Sequence, residues 1–198
     1  MTNLFYIVRH AIKEKLIGDV DITAQGIIEA NKTAHYFELL NINQIYSSPL
    51  QRAKHTAHII SDSIYIPVVE DFRLRERANW GDIPDQTFDE FVAVWDKCTQ
   101  ERDYVPSQGD SARMAGDRLA LCLSDISFKY PESSTIIVTH GGLITDFLIN
   151  VISESELDQV HPNFIHLQTS LVKECSITIV SFEKDYFTLI DFANTSHL

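Results

Sequence analysis

Along the chain, short unbroken apolar runs alternate with stripes of apolar residues at helical spacing. Leu4-Phe5-Tyr6-Ile7-Val8 is an unbroken run rich in strand formers, the pattern of a buried strand. From Thr23 to about Leu40, the residues Ile27, Ala30, Ala34, Phe37 and Leu40 recur on one helical face, and Thr23 is placed to cap it. A short strand is expected over 44–46. Ser47-Ser48-Pro49 then opens a second helix, with Ser48 as cap, Pro49 in the first helical position, and Leu50, Ala53, Ala57 and Ile60 on the buried side. Pro67-Val68-Val69 reads as another strand. Helical spacing returns over 111–129, where Ala115, Leu119, Cys122 and Ile126 form the stripe. Residues 134–139 are a β-branched strand, 143–152 are helical, and strands near 176–182 and 186–192 flank the turn Glu183-Lys184-Asp185.

This order predicts an α/β fold: a three-layer α/β/α sandwich around a mainly parallel sheet, with the closing hairpin as an antiparallel edge. Residues 73–109 have weaker periodicity and more Asp, Pro and aromatic residues. They read as a cap-like excursion over the site, with one helix near 88–97, inserted in a single domain spanning 1–198. A chain of 198 residues with 44% hydrophobic and 22% charged residues has the composition of a soluble globular domain. Its net charge of −12 argues against nucleic acid and anionic membrane surfaces as partners. No run has membrane-spanning length, and no signal segment is expected. Cys98, Cys122 and Cys175 are odd in number and far apart, which fits buried reduced thiols and a cytoplasmic setting.

Chemistry enters where two strands stop. Ile7-Val8 runs straight into Arg9-His10, and Ile137-Val138-Thr139 into His140-Gly141-Gly142. Ligands of open α/β sheets bind beyond the carboxyl ends of the strands, so both histidines are expected at one crevice if the strands are neighbours. Arg9 offers a rigid fork for an oxyanion, and His10 a nucleophile or proton carrier. The glycines after His140 open a helix whose N–H groups favour an anion, and Arg52 in the first turn of its own helix leans toward that mouth. Two guanidiniums and two imidazoles then converge on one small oxyanion.

These segments resemble the histidine phosphatase superfamily, the phosphoglycerate-mutase-like group. The likeness is carried by the strand-Arg9-His10 start, Ser47 through Ala57, Leu74-Arg75-Glu76-Arg77-Ala78-Asn79-Trp80-Gly81, Val138 through Gly142, Gly109-Asp110-Ser111 and the ending Asn194 through Leu198. The resemblance implies a phosphoglycerate-mutase-like fold, a phosphohistidine formed on His10, a phosphate pocket of Arg9, Arg52 and His140, and Glu76 as the acid that protonates the leaving oxygen. It also implies a histidine acid phosphatase-type phosphomonoesterase that acts on a small phosphorylated substrate without metal or other cofactor. Glu76 would later serve as base for water, and a carbonyl would orient His10 through its second nitrogen.

After His10 the chain departs from the family. Members often continue with glycine, an acidic or amide residue, threonine, and then asparagine. Here the run is Ala11-Ile12-Lys13-Glu14-Lys15-Leu16. The Ala11 methyl is expected to narrow the pocket slightly, and Lys13 or Lys15 to stand in for the lost asparagine. Two alternatives remain: a phosphoglycerate mutase, and a regulatory module that binds phosphate but turns over little. Against the first, Asn79-Trp80-Gly81-Asp82 replaces the mutase sequence after the Glu-Arg pair. Asp82, Asp85 and Asp110 compete with Glu76 for the acid role, which a pairing of Glu76 with Arg75 or Arg77 would remove. Arg77 is open to either substrate contact or solvent. His55 and His58 share a helix face but lack partners for a zinc pattern. They are expected to be structural or exposed, as are His35, His161, His166 and His197. Trp80 and Trp95 suit a substrate cleft, with core packing the default for rings of their size, and Glu101-Arg102-Asp103 is expected on a solvated face.

Overall fold

The computed structural model describes residues 2–198. Six strands form one sheet: β1 (Asn3–Arg9), β2 (Gln44–Ser47), β3 (Val68–Glu70), β4 (Ser134–Thr139), β5 (Ile177–Glu183) and β6 (Tyr186–Asn194), in the order β3-β2-β4-β1-β5-β6. The first four in that order run parallel, and β5 and β6 add the antiparallel edge. The hairpin turns on Lys184 and Asp185, both at positive φ, as a two-residue hairpin loop requires.

Strand alternation divides the core in two. Phe5, Ile7 and Ile137 point to one face, where they pack with Leu119, Leu143 and Phe147 from helices α4 (Ala112–Lys129) and α5 (Gly141–Val151). Val8, Ile136 and Val138 point to the other, against Ala34, Phe37, Ala53 and Ala57 of α1 (Ala24–Phe37) and α2 (Gln51–Ile64). Three layers result, as the pattern of elements predicts. The chain leaves β1 into α1 on one face and leaves β4 into α5 on the other. β1 and β4 are adjacent, so this is the switch point at which a crevice opens beyond the strand ends.

Thr23 caps α1 through its hydroxyl, but Ile27 is 38% exposed and Gly26 and Thr33 take up the buried face instead. Residues 71–111 contain a 3₁₀ turn (Phe72–Leu74) and α3 (Phe88–Gln100), which starts on a capping box of Thr87 and Glu90. Two further helices, α6 (Glu154–Val160) and α7 (Phe164–Leu171), were not expected from periodicity. Both are short, yet Ser153 and Glu156 form a capping box whose spacing is visible in the sequence.

Helices α4 and α5 meet at Gly116, where an added Cβ would lie 2.4 Å from the Asp146 carbonyl and 2.6 Å from Asn150 Nδ2. Gly116→Ala should therefore cost about 1–3 kcal/mol of stability through overpacking, read as a lower urea midpoint at unchanged m.

Candidate active site

The pairing of β1 with β4 places Arg9 opposite Thr139, and His10 N–H donates to the Thr139 carbonyl at 2.8 Å. His10 and His140 therefore leave the sheet side by side, with ring centroids 5.1 Å apart. The Nδ1 of His10 lies 2.8 Å from the Ala11 carbonyl. A carbonyl only accepts, so Nδ1 holds the proton and Nε2 keeps its lone pair. Arg52 Nε donates to that Nε2 at 3.3 Å, and Arg52 Nη1 donates to Asn79 Oδ1 at 3.2 Å. Thr56, one turn further along α2, accepts from Ala11 N–H at 3.0 Å and donates to the Arg52 carbonyl at 2.7 Å. It ties the His10 turn to the Arg52 helix.

Ser48 does not cap α2, which begins after Leu50 without a side-chain cap. Its hydroxyl accepts from the Leu50 N–H at 3.3 Å, ahead of the helix, and sits 2.7 Å from His140 Nε2. Arg9 also differs from expectation. Its two terminal nitrogens are engaged by the Val172 carbonyl and the Glu174 carboxylate, so the fork faces protein. Its Nε and the Nδ1 of His140 are buried without a hydrogen-bond partner.

Glu76 is placed from behind. The Leu74 carbonyl accepts from Thr139 Oγ1 at 2.7 Å, and Arg118 donates to the carbonyls of Arg73 and Arg75. Asp110 binds Arg75 at 2.9 Å and Arg118 at 2.8 Å, which occupies this competitor for the acid role. Gly109 has φ +91°, and a Cβ there would fall 2.3 Å from the Arg77 carbonyl. Only glycine lets the Gly109-Asp110-Ser111 segment press against the Glu76 loop. The Glu76 carboxylate accepts from the main-chain N–H of Gly142 at 3.1 Å and of Arg77 at 3.0 Å. Neither arginine side chain beside it in sequence pairs with it. Asp82 and Asp85 are exposed.

Arg77 is neither solvated nor free for a substrate. It is 3% exposed and bonds both oxygens of Asp146, at 3.0 and 3.1 Å, while lying 3.8 Å over the Trp95 ring. Burial pushes the Asp146 carboxyl up to about 7, although Arg77 and Arg102 pull against it. Arg102 is no surface charge either, since it donates to the Asp146 carbonyl at 3.1 Å and to Asn150. The Ala11 methyl does not narrow the pocket; it is buried in a small cluster with Ile22, Ala30 and Cys175. Trp80 and Trp95 line the cleft of about 350 Å³ rather than the core, and Lys13 reaches it while Lys15 is exposed. All three cysteines are buried thiols. His55 pairs with Asp21 at 2.7 Å, and His58 is exposed. Among the described residues no three His, Cys, Asp or Glu side chains gather as a metal site, and no helix is long and apolar enough to cross a membrane.

The fold and site define an α/β protein with a cationic, histidine-paired pocket at its switch point. The chain belongs to the histidine phosphatase superfamily (branch 1), whose model matches residues 5–195. It is 27% identical over 181 residues to the uncharacterized phosphatase PhoE of Bacillus subtilis, covering 91% of this chain and 85% of that protein. It is 30% identical over 158 residues to a putative phosphoserine phosphatase of Hydrogenobacter thermophilus, covering 70% and 73%. A crystal structure of an Entamoeba histolytica phosphoserine phosphatase mutant in complex with phosphoserine superposes with a TM-score of 0.77 at 26% identity, over 99% of each chain. Phosphoglycerate mutases are also among its relatives.

Burial holds both His10 and His140 well below the usual histidine value of 6.5, and Arg52 adds to the effect on each. The folded protein then resists protons that the unfolded chain accepts. These two groups should contribute no slope above about pH 7.5, and below 6.5 each should cost up to about 1.4 kcal/mol of stability per pH unit. Urea unfolding across that range measures it. In His10→Ala the slope below pH 6.5 should be shallower by about 1.4 kcal/mol per unit.

Proposed function

We propose that the protein hydrolyses small phosphomonoesters through a phosphohistidine on His10. The observation that carries this reading is the state of that ring: the Ala11 carbonyl fixes the proton on Nδ1, and Nε2 is left unprotonated, its lone pair accepting only a long 3.3 Å bond from Arg52 Nε that an arriving phosphate can take over. Nε2 attacks phosphorus in line, and the P–O bond to the alcohol breaks. Glu76 gives its proton to the departing oxygen. In the second half Glu76 takes a proton from water, whose oxygen attacks phosphorus and returns His10 with inorganic phosphate. Arg52, Arg9 Nε and His140 surround the equatorial oxygens, where placed donors act on charge that builds during transfer. The two buried groups without partners support this role, because each costs about 1–3 kcal/mol until an acceptor or donor arrives. No step requires a metal or another cofactor.

The mutase alternative finds less support. Arg77, the arginine after the acid, is bound to Asp146 and cannot also hold a substrate carboxylate. Nothing in the altered segment favours a binding-only module, since the Ala11 methyl is buried outside the cleft and the Ala11 carbonyl still orients His10.

Rapid mixing with a ³²P-labelled ester should trap an acid-labile, alkali-stable phosphoenzyme, absent in His10→Ala; full turnover in that variant would refute the mechanism. Arg52→Ala should lower kcat by about a hundredfold to a thousandfold. Glu76→Gln should lower kcat/KM for alkyl phosphates by about 10²–10⁴ and much less for p-nitrophenyl phosphate, whose leaving group needs no proton.

A further inference from the structure

Resting on the phosphatase reading, we propose that the alcohol part of the substrate is aromatic and uncharged, and that Trp80, Phe88, Phe91 and Trp95 hold it. These four side chains form a continuous run of rings along the cleft. Trp80 meets Phe88 at 5.0 Å, Phe88 stacks on Phe91 at 6.5 Å, and Phe91 meets Trp95 at 5.9 Å. Phe88 is 55% exposed. The polar edge of Trp80 is already spent on the Gln86 carbonyl at 3.0 Å.

The wall begins at the acid. A Cβ built on Gly142 would lie 2.6 Å from the Trp95 ring and 2.9 Å from Glu76 Oε1, so the indole and the carboxylate share one small space. An oxygen protonated by Glu76 therefore carries its substituent past Trp95 and onto Phe91. A ring there would gain offset or edge contacts with fixed aromatic partners.

Charge points the same way. Among the described residues lining the cleft, the Lys and Arg side chains are Arg9, Lys13, Arg52 and Arg77. Arg9 and Arg52 belong to the phosphate pocket. Arg77 is held by Asp146, by Thr99 and by the Trp95 carbonyl. The Lys13 ammonium donates to the Glu14 carbonyl at 3.3 Å. A carboxylate on the alcohol, as in phosphoserine or 3-phosphoglycerate, would lie beside aromatic carbon and the Glu76 carboxylate with no cation to meet it.

Binding and turnover test this separately. Fluorescence of the two tryptophans should show benzylphosphonate binding at least tenfold more tightly than 2-amino-4-phosphonobutanoate, in the natural protein and in His10→Ala alike. In turnover, benzyl phosphate should exceed O-phosphoserine at least tenfold in kcat/KM. Both leaving groups are primary alcohols that need the Glu76 proton, so the comparison reads the pocket. Phe88→Ala, at an exposed position, and Phe91→Ala should each lower the benzyl-to-glycerol phosphate ratio of kcat/KM severalfold, through KM. Equal or tighter binding of the amino acid phosphonate, or ratios unchanged in both variants, overturns the proposal even if phosphohistidine forms. Selective benzylphosphonate binding without turnover of any ester upholds the aromatic wall and removes the phosphatase reading instead.

Discussion

The parallel register of β1 on β4 is the constraint from which the site follows. Ile7 lies opposite Ile137 and Arg9 opposite Thr139, and the next main-chain bond joins His10 to the Thr139 carbonyl. Two imidazoles thus emerge together at the strand ends. Alternation then sends consecutive residues apart: Arg9 reaches Val172 and Glu174, while His10 meets Arg52 on α2. A slip of one residue would exchange those faces and break the site. It would also exchange Phe5 and Ile7 with Tyr6 and Val8 between two packed cores. Core packing on both faces of the sheet therefore protects a geometry that the functional residues could not hold alone.

Keeping cations in a protein of net charge −12 requires that their surroundings be divided. The other guanidiniums packed around the site have carboxylates assigned to them: buried Arg77 has Asp146, and half-buried Arg75 and Arg118 share Asp110. Buried charges without such partners would be costly. Arg52 is treated differently. At 4% exposure its nearest carboxylate is Asp19 at 4.0 Å, and its close contacts are a neutral imidazole and an amide. Its charge is left available to an arriving anion. Burial and that same charge disfavour the protonated form of both His10 and His140.

Much of this was legible before any coordinates, and the parts that were not share a physical cause. Periodicity is local, so it located the strands, α1, α2, α4 and the hairpin, and with them the two histidine-tipped strand ends. The shorter of the Ser48 hydroxyl's two bonds goes to His140, 92 residues away, and no local rule reveals it beside the Leu50 N–H. Arg77 and Arg102 sit in polar segments, yet both turn inward to Asp146, on a helix that pattern alone marks as apolar. For the two tryptophans the sequence leaves cleft and core both open, and ring size alone favours the core. α6 and α7 are too short for a stripe to stand out. Their one readable sign was the Ser153–Glu156 cap.

Gly142 shows how closely support and chemistry are joined. Its N–H, at the start of α5, donates to Glu76 Oε2, which holds the carboxylate at the helix mouth beside the histidine pair. Its missing side chain is the space into which the Trp95 ring fits. Arg77 then lies over that ring and anchors it to Asp146, also on α5. One helix thereby holds the Glu76 carboxylate by its first turn and, through Arg77, the Trp95 ring by its second. The segment between β3 and α4, weakest in periodicity, is held by contacts to α5 and to the Asp110 clamp rather than by a core of its own. Glu76 and the ring of Trp95 are consequently both anchored on α5, which continues from the strand that holds His10.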